Sequence, residues 1–317
     1  MDMSESLQVS VIIPTKGRPK ALAEVVSSLA SQSVLPWELV IVDQSDNDEG
    51  RRRVDNALRA KLNGKAKSIN VNYIHDPTIP GAATARNRAL AAADGDVWLF
   101  LDDDVVLEPQ FIEELLRTYQ TDPQVAGVSG IITNYPRPPW PFFVWSTVFM
   151  RGPFADERQL IYWRAEGLRD SPPLDTQRFG CGLMSFRAGV MRGMSFDENL
   201  DAHLKGVSDG EDVDLCERLP SGTKLLIAPR ARLAHYHNSA GRLSDHWLRR
   251  HSRGNFFLYE KHWKHGVTNR VAYAWLYTGY ALAAMLGCAR RLSLEPWQAF
   301  RIGQREARKA SRAISED

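Results

Sequence analysis

Apolar and polar positions alternate in regular blocks along the first part of this chain. The run VSVII, residues 9 to 13, reads as a short buried strand, ended by Pro14 and followed by the polar loop TKGRP. Leu22, Val25, Val26 and Leu29 then recur at i, i+3, i+4 and i+7, which predicts a helix from about Pro19 to Gln32. LVIV at 39 to 42 predicts a second strand, closed by DQSDND, and a polar helical segment containing Arg51, Arg52 and Arg53 follows. VNYIH predicts a third strand, GAATARNRALAAADG a small-residue helix stopped by Gly95, and VWLFL at 97 to 101 a fourth strand ending in three aspartates. Strands alternating with helices imply an α/β fold with a mostly parallel central sheet flanked by helices. Ligands in such sheets bind beyond the carboxyl ends of the strands, where the loops at Thr15, Asp43 and Asp102 all fall.

Past Pro109 the pattern Ile112, Leu115, Leu116, Tyr119 predicts another helix, and VAGVSGII another strand. Residues 134 to 178, rich in Pro, Trp and Arg, read as too proline-broken for regular elements and as a functional loop or lid that shapes a pocket. FGCGLMSF predicts a strand, a short helix follows, GEDVDLCERL reads as a helix with acidic residues in its first turn, and KLLIA is a strand just before His235. The uncharged stretch 271 to 289 is marginal for membrane spanning, and burial, an interfacial position and spanning all stay open. The chain divides at about residue 240, with 1–240 as a catalytic α/β domain and 241–317 as a helical C-terminal extension.

Composition narrows the function classes. The 317 residues, 44% apolar and 25% charged, suit a globular protein, and a formal net charge of +2 gives no reason to invoke nucleic acid. Cys181, Cys216 and Cys288 lie far apart without CxxC spacing, which argues against a thiolate zinc site and for a reducing cytosol. The start MDMSESLQVS does not read as a secretory signal peptide, so the expected location is cytoplasmic. From residue 290 onward basic and apolar residues interleave, as expected of an amphipathic helix on anionic lipid or of a solvated helix docked on the domain, and peripheral contact at the inner face of the cell membrane is the preferred reading.

Candidate chemistry concentrates in acidic clusters. Asp102, Asp103 and Asp104 repel one another unless a cation or hydrogen-bond donors hold them, and in extended chain Asp102 and Asp104 point to one side with Asp103 on the other. Such oxygen ligands suit Mg²⁺ or Mn²⁺, with substrate phosphates filling the remaining positions. Glu211, Asp212 and Asp214 open a helix, where they serve catalysis or simply complement the helix dipole. His235 or His237 is a candidate nitrogen ligand, and the guanidinium groups of Arg18 and Arg86 suit a diphosphate.

Taken in order, VSVIIPTKGR, VDQSD, GAATARNRAL, LFLDDDV, FDE, GEDVDL and LAHYH resemble the family 2 glycosyltransferases of GT-A fold over residues 7 to 240, in particular bacterial transferases that add rhamnose, galactofuranose, galactose or glucose to surface polysaccharides. The resemblance implies a metal-dependent, inverting enzyme using a nucleoside-diphosphate sugar, with UDP- or dTDP-sugars as expected donors and a glycan or lipid-linked hydroxyl as acceptor. It places Pro14, Thr15 and Asp43 along the base and ribose with Arg86 near the same site, and it sets Asp103 against the ribose. Arg18 and Asp102 join the donor-binding set. The ion falls to Asp104 and His235, with His237 in reserve, and Asp212 takes the position of the general base. The family's common VDDGSTD stands here as VDQSDND, so Gln44 occupies a position where an acidic residue often contacts uracil. Two other classes are weighed against this one. A nucleotidylyltransferase would want a GxGTR-type loop after the first strand, which TKGRPK lacks, and a silent nucleotide- or glycan-binding module would not need both base and metal residues.

Overall fold

The computed structural model describes residues 7–62, 68–135, 139–151, 167–180, 182–200, 210–236 and 244–316. Among the described residues, nine strands form one sheet: β1 (Val9–Thr15), β2 (Glu38–Asp43), β3 (Asn70–His75), β4 (Val97–Leu101), β5 (Val105–Leu107), β6 (Val125–Ile132), β7 (Leu174–Thr176), β8 (Leu183–Arg187) and β9 (Lys224–His235). Their order is β3-β2-β1-β4-β8-β6-β9-β5, with β7 beside β9. The half from β3 to β4 is parallel throughout; β8 runs antiparallel to both β4 and β6, and β6 is again parallel to β9.

The described residues also hold the helices α1 (Pro19–Leu29), α2 (Glu49–Leu62), α3 (Ala82–Leu90), α4 (Phe111–Thr121), α5 (Trp140–Trp145), α6 (Ala188–Met191), α7 (Glu211–Glu217), α8 (Asp245–Leu258), α9 (Val267–Arg291) and α10 (Glu295–Glu316). Single π-helical stretches follow α5, over Ser146–Arg151, and α8, over Tyr259–Trp263.

The period-2 alternation of each central strand sends its side chains into two separate cores. Val11, Ile13, Leu39, Ile41, Leu99 and Leu101 pack on one side against α1 and α4. Ile12, Val40, Val42, Trp98 and Phe100 pack on the other against α3, α6 and α7. Strands buried on both faces need continuous apolar runs, which is why VSVII and VWLFL look the way they do. β3, at the sheet edge, keeps an exposed and half-buried pattern instead.

Three boundaries differ from the sequence expectation. α1 ends at Leu29 rather than Gln32. α3 ends at Leu90, short of Gly95, whose backbone amide instead donates to the Ser10 hydroxyl oxygen at 2.8 Å beside the sheet. His235 is the last residue of the twelve-residue β9 rather than a loop residue after KLLIA. Residues 134 to 178 also hold more order than their prolines suggest. Pro139 stands just before α5 and Pro141 lies in its first turn, positions where a missing N–H costs nothing, so these prolines start a helix. The rest of the expected lid, 136–138 and 152–166, lies outside the described residues.

A third apolar cluster joins α5 to the C-terminal helices through Phe142, Trp145, Leu248, Tyr280, Ala284 and Phe300. α9 and α10 form an antiparallel hairpin, since Tyr277 meets Phe300 and Tyr273 meets Gln304.

Candidate active site

Five buried apolar residues of β4 deliver the three aspartates to the carboxyl end of this central strand, in the turn that leads to β5. Asp103 is buried and turns toward β1, accepting hydrogen bonds from Thr15 Oγ1 at 2.6 Å and from Arg18 Nη1 at 2.9 Å. Burial pushes its carboxyl pKa up, against the opposing pull of Thr15 and Arg18. Arg18 also reaches Asp104 at 2.9 Å, and Asp103 above all holds its guanidinium in the charged form.

On the other side, Asp104 Oδ1 lies 2.9 Å from His235 Nε2, and Asp102 Oδ2 lies 3.7 Å from the same nitrogen. Burial disfavours a charged His235 ring, yet the hydrogen bond to Asp104 and the charges of Asp102 and Asp104 outweigh it and raise the pKa. Asp102, Asp104 and His235 present ligand atoms that all lie within 4.8 Å of one another. Two hard oxygens and one imidazole nitrogen fit Mg²⁺ or Mn²⁺. The charge balance agrees: the carboxyl groups of Asp102, Asp103, Asp104 and Glu211 meet the guanidinium groups of Arg18 and Arg86, and a divalent cation would offset the remainder. Asp102, expected in the donor-binding set, thus stands with the metal candidates.

Arg86 connects this cluster to α7. Its side chain is almost fully buried, with Nη1 donating to Glu211 Oε1 at 2.8 Å and Nη2 to Asp102 Oδ1 at 3.1 Å. The guanidinium carbon also sits over an aromatic face, 5.5 Å from the Phe196 ring centroid. Arg86 therefore ties two carboxylates together. Asp212, the next residue after Glu211, is half-buried at the start of α7, and its Oδ1 accepts from the Val213 amide at 2.7 Å.

Two glycines lie against these carboxylates. Gly182 has φ +61°, and a Cβ there would overlap the Asp102 carboxylate; a Cβ at Gly180 would lie 3.1 Å from Asp212 Oδ2. Both positions keep the floor between Asp102 and Asp212 free of side chains. The run FGCGLMSF predicts only a strand, and the role of its two glycines appears from their three-dimensional neighbours.

At the end of β2, Asp43 is buried and fully engaged. Its carboxylate accepts from Tyr73 Oη at 2.5 Å, from the Ser45 amide at 2.9 Å and from Ser45 Oγ at 2.5 Å. Burial, then the bond to Asp43, raises the Tyr73 phenol pKa. Gln44 is buried with its amide donating to the Thr15 carbonyl at 2.9 Å, and Pro14 pairs with Val42 inside the sheet. Thr15, Arg18, Gln44 and the aspartates of β4 thus form one continuous wall, with Asp43 next to it. His237 lies outside the described residues.

The C-terminal helices take part in a way the sequence did not announce. Asp214, on α7 two residues past Asp212, has no solvent exposure and receives Lys261 Nζ at 2.5 Å, His262 Nε2 at 2.8 Å and Arg218 at 3.0 Å. Burial opposes its ionisation, but these partners win and hold its pKa at about 2. Lys261 also bonds Asp197 at 2.6 Å, and Trp263 Nε1 donates to Glu217 at 3.1 Å. The π-helical stretch after α8 is thereby locked to the helix that carries Asp212.

The sequence model of the family described as "Glycosyl transferase family 2" matches residues 10–197, more than half of the chain. The chain belongs to glycosyl transferase family 2. Among curated relatives, the pre-mycofactocin glycosyltransferase of Mycobacterium tuberculosis is 30% identical over 247 residues, covering 76% of this chain and 45% of that protein. A glucosyl-dolichyl phosphate glucuronosyltransferase of Haloferax volcanii is 30% identical over 128 residues, 40% of this chain and 38% of the relative. The chain spans less than half the length of these curated relatives. Solved structures with the same fold include the mannosyltransferase PcManGT of Pyrobaculum calidifontis in complex with GDP-Man and Mn²⁺, at TM-score 0.58 and 16% identity over 98% of this chain and 87% of that one. S. aureus TarS 1-349 in complex with UDP-GlcNAc gives TM-score 0.57 at 15% identity, over 96% of this chain and 82% of the other. The GT-A architecture expected from the motifs is the one observed.

Proposed function

We propose that this family 2 glycosyltransferase moves a hexose from a nucleoside-diphosphate sugar, UDP- or dTDP-linked, to a hydroxyl of a glycan or lipid-linked acceptor, with inversion at the anomeric carbon. The observation that carries the reading is the Asp102–Arg86–Glu211 bridge, which fixes the aspartate cluster against the helix that begins with Glu211 and Asp212. Donor and acceptor chemistry need that spacing held rigid, because a displacement depends on alignment of the attacking and leaving oxygens.

Asp43, Gln44, Pro14, Thr15 and Asp103 form the wall for base and ribose, and Arg18 lies beside it for the diphosphate. Asp104 and His235, with Asp102, are the residues to hold a divalent ion, which when bound stabilises negative charge on the departing diphosphate. Asp212 accepts the acceptor's hydroxyl proton as that oxygen bonds to the anomeric carbon. The anomeric carbon–oxygen bond to the diphosphate breaks in the same step and the electron pair leaves with the nucleoside diphosphate. Attack from the opposite face inverts the centre, and no enzyme nucleophile is required. The protein works on the cytoplasmic side in polysaccharide biosynthesis for the cell envelope, at the inner face of the membrane where a lipid-linked acceptor is presented.

The test is turnover of a panel of α-linked nucleotide sugars against glycan and polyprenyl-linked acceptors with Mn²⁺, with the product anomer read by NMR. A β-linked product formed from one donor class supports the proposal. An α-linked product would rule out single displacement, and hydrolysis of none of the donors with binding of none would overturn the reading.

A further inference from the structure

The outer face of the α9–α10 hairpin is divided into two rows of opposite chemistry. Along α9, Val271, Trp275, Leu282, Met285 and Leu286 are exposed on one face, and the exposed positions between and beyond them up to residue 289 are Ala or Thr. From 271 to 289 this uncharged row runs about 27 Å at the helical rise of 1.5 Å per residue. The turn that follows exposes Leu292 to 95% and Leu294 to 67%. Along α10, Arg301, Arg305, Arg308, Lys309 and Arg312 recur at i, i+4, i+7, i+8 and i+11 and are all exposed. The acidic residue in that stretch, Glu306, is turned away and paired with Arg249 and Arg253 beneath the helix.

We propose that this hairpin face is a docking surface for an anionic lipid bilayer, with α9 lying in the plane of the interface and the cations of α10 among the acidic headgroups. The inference deepens the reading of the enzyme as working at a membrane face, and it names the surface and the lipid class. An apolar row beside a basic row is the pattern of an interfacial helix, in which buried hydrocarbon and headgroup charge add. α9 is long and apolar enough to cross a membrane, but its inner face is fastened to the rest of the chain, which favours the interfacial position. Trp145 Nε1 donates to the Gly279 carbonyl at 2.7 Å, the Phe149 ring packs on Gly279, and Tyr280 and Ala284 are buried in the shared cluster with α5 and α8. A helix fastened to the domain at its middle cannot be surrounded by lipid. A second copy of the chain is the poorer occupant, since a twofold contact would set the row of α10 cations against its twin. An anionic bilayer complements both rows at once.

The experiment is co-sedimentation of the full chain with phosphatidylcholine vesicles and with vesicles containing added phosphatidylglycerol, at low and high salt, beside nucleotide binding measured on the same samples. Wild type should sediment with the anionic vesicles and be released by salt. Arg301→Gln with Arg305→Gln should lower partitioning about 25-fold, roughly fivefold per cation, and Leu282→Glu with Leu286→Glu should abolish it. All four positions are exposed, and an unchanged circular dichroism melt with retained nucleotide binding establishes that the variants are folded. Failure of wild type to bind anionic vesicles while nucleotide binding is intact overturns the proposal and leaves the transferase reading in place. Equal vesicle binding by wild type and both variants also overturns it. Concentration-dependent dimers that vanish in the Leu282→Glu, Leu286→Glu variant without any vesicle binding assign the face to a second copy and overturn it as well. Vesicle binding with the predicted mutational losses, but without nucleotide binding, supports the surface and counts against the transferase reading alone.

Discussion

Replacing Arg86 with Met keeps the volume of the side chain and removes its charge, so the consequence is electrostatic. Glu211 loses its 2.8 Å partner and Asp102 its 3.1 Å partner, while Glu211 keeps only about a tenth of its side-chain surface in water. Breaking a buried pair by removing one member typically costs about 3–5 kcal/mol, because the remaining charge is left uncompensated. The structure places this site near the lower end, since Asp102 is about one-third exposed and water can replace part of what it loses. Arg86→Met should therefore unfold at lower urea with a loss of about 3 kcal/mol. Arg86→Lys should fall in between, because one ammonium cannot reproduce a fork that reaches two carboxylates. The informative comparison is the double variant Arg86→Met, Glu211→Gln, in which the stranded carboxylate is also gone. Its loss should be smaller than the sum of the two single losses by more than about 1 kcal/mol. Additivity within about 0.5 kcal/mol, measured by equilibrium urea unfolding, would show that Arg86 and Glu211 are not coupled and would refute the bridge as the device that joins the two halves of the site.

Other consequences follow from single residues. Gly182→Ala adds a methyl where the Asp102 carboxylate lies and at φ +61°, so it should cost about 1–3 kcal/mol and weaken Mn²⁺-dependent nucleotide binding, read by calorimetry; wild-type affinity would show that the Asp102 carboxylate need not occupy this position. Asp214 has its pKa held at about 2 against an ordinary 3.8, so ionisation stabilises the folded state above about pH 4, and that contribution, about 2 kcal/mol, is lost as pH falls from 4 toward 2. Asp214→Asn should accordingly be less stable than wild type at neutral pH by at least that amount, with the gap narrowing in acid; parallel pH–stability curves would contradict this. Lys261→Met, which unlinks the C-terminal π-helical stretch from Asp214 and Asp197, should lower kcat with little change in nucleotide affinity, and a loss confined to nucleotide affinity would contradict the coupling to α7.

Much of the architecture could be read from local pattern because both faces of β1, β2 and β4 are buried, which forces continuous apolar runs that stop where the strand leaves the sheet. The opposite facing of Asp103 against Asp102 and Asp104 expected of extended chain holds only in part, because residues 102–104 lie in a turn after β4 and Arg18 Nη1 bonds both Asp103 and Asp104. What could not be read depends on long-range contact. Arg86 meets Glu211 across 125 residues of chain, so its sequence context, a small-residue helix, suggests an exposed cation as readily as a buried one. Gly180 and Gly182 matter because of what lies above them, and a strand-like run gives no sign of that. The prolines at 139 and 141 signalled disruption but serve as helix starters, a distinction that depends on where the first turn begins. Lys261 and His262 reach Asp214 from a segment whose own pattern is merely polar, and nothing local marks them as supports of the site.

The most direct test of the central claim separates donor binding from proton transfer at two carboxylates. Titration of the nucleoside diphosphate with Mn²⁺ should show metal-dependent binding for wild type and for Asp212→Asn, and loss of the metal-dependent part for Asp104→Ala. Turnover in Asp212→Asn should fall by about 10²–10⁴-fold, the usual contribution of a positioned general base. Wild-type turnover in Asp212→Asn, or metal-dependent binding that survives in Asp104→Ala, would contradict the assignment of these two residues and with it the proposed mechanism.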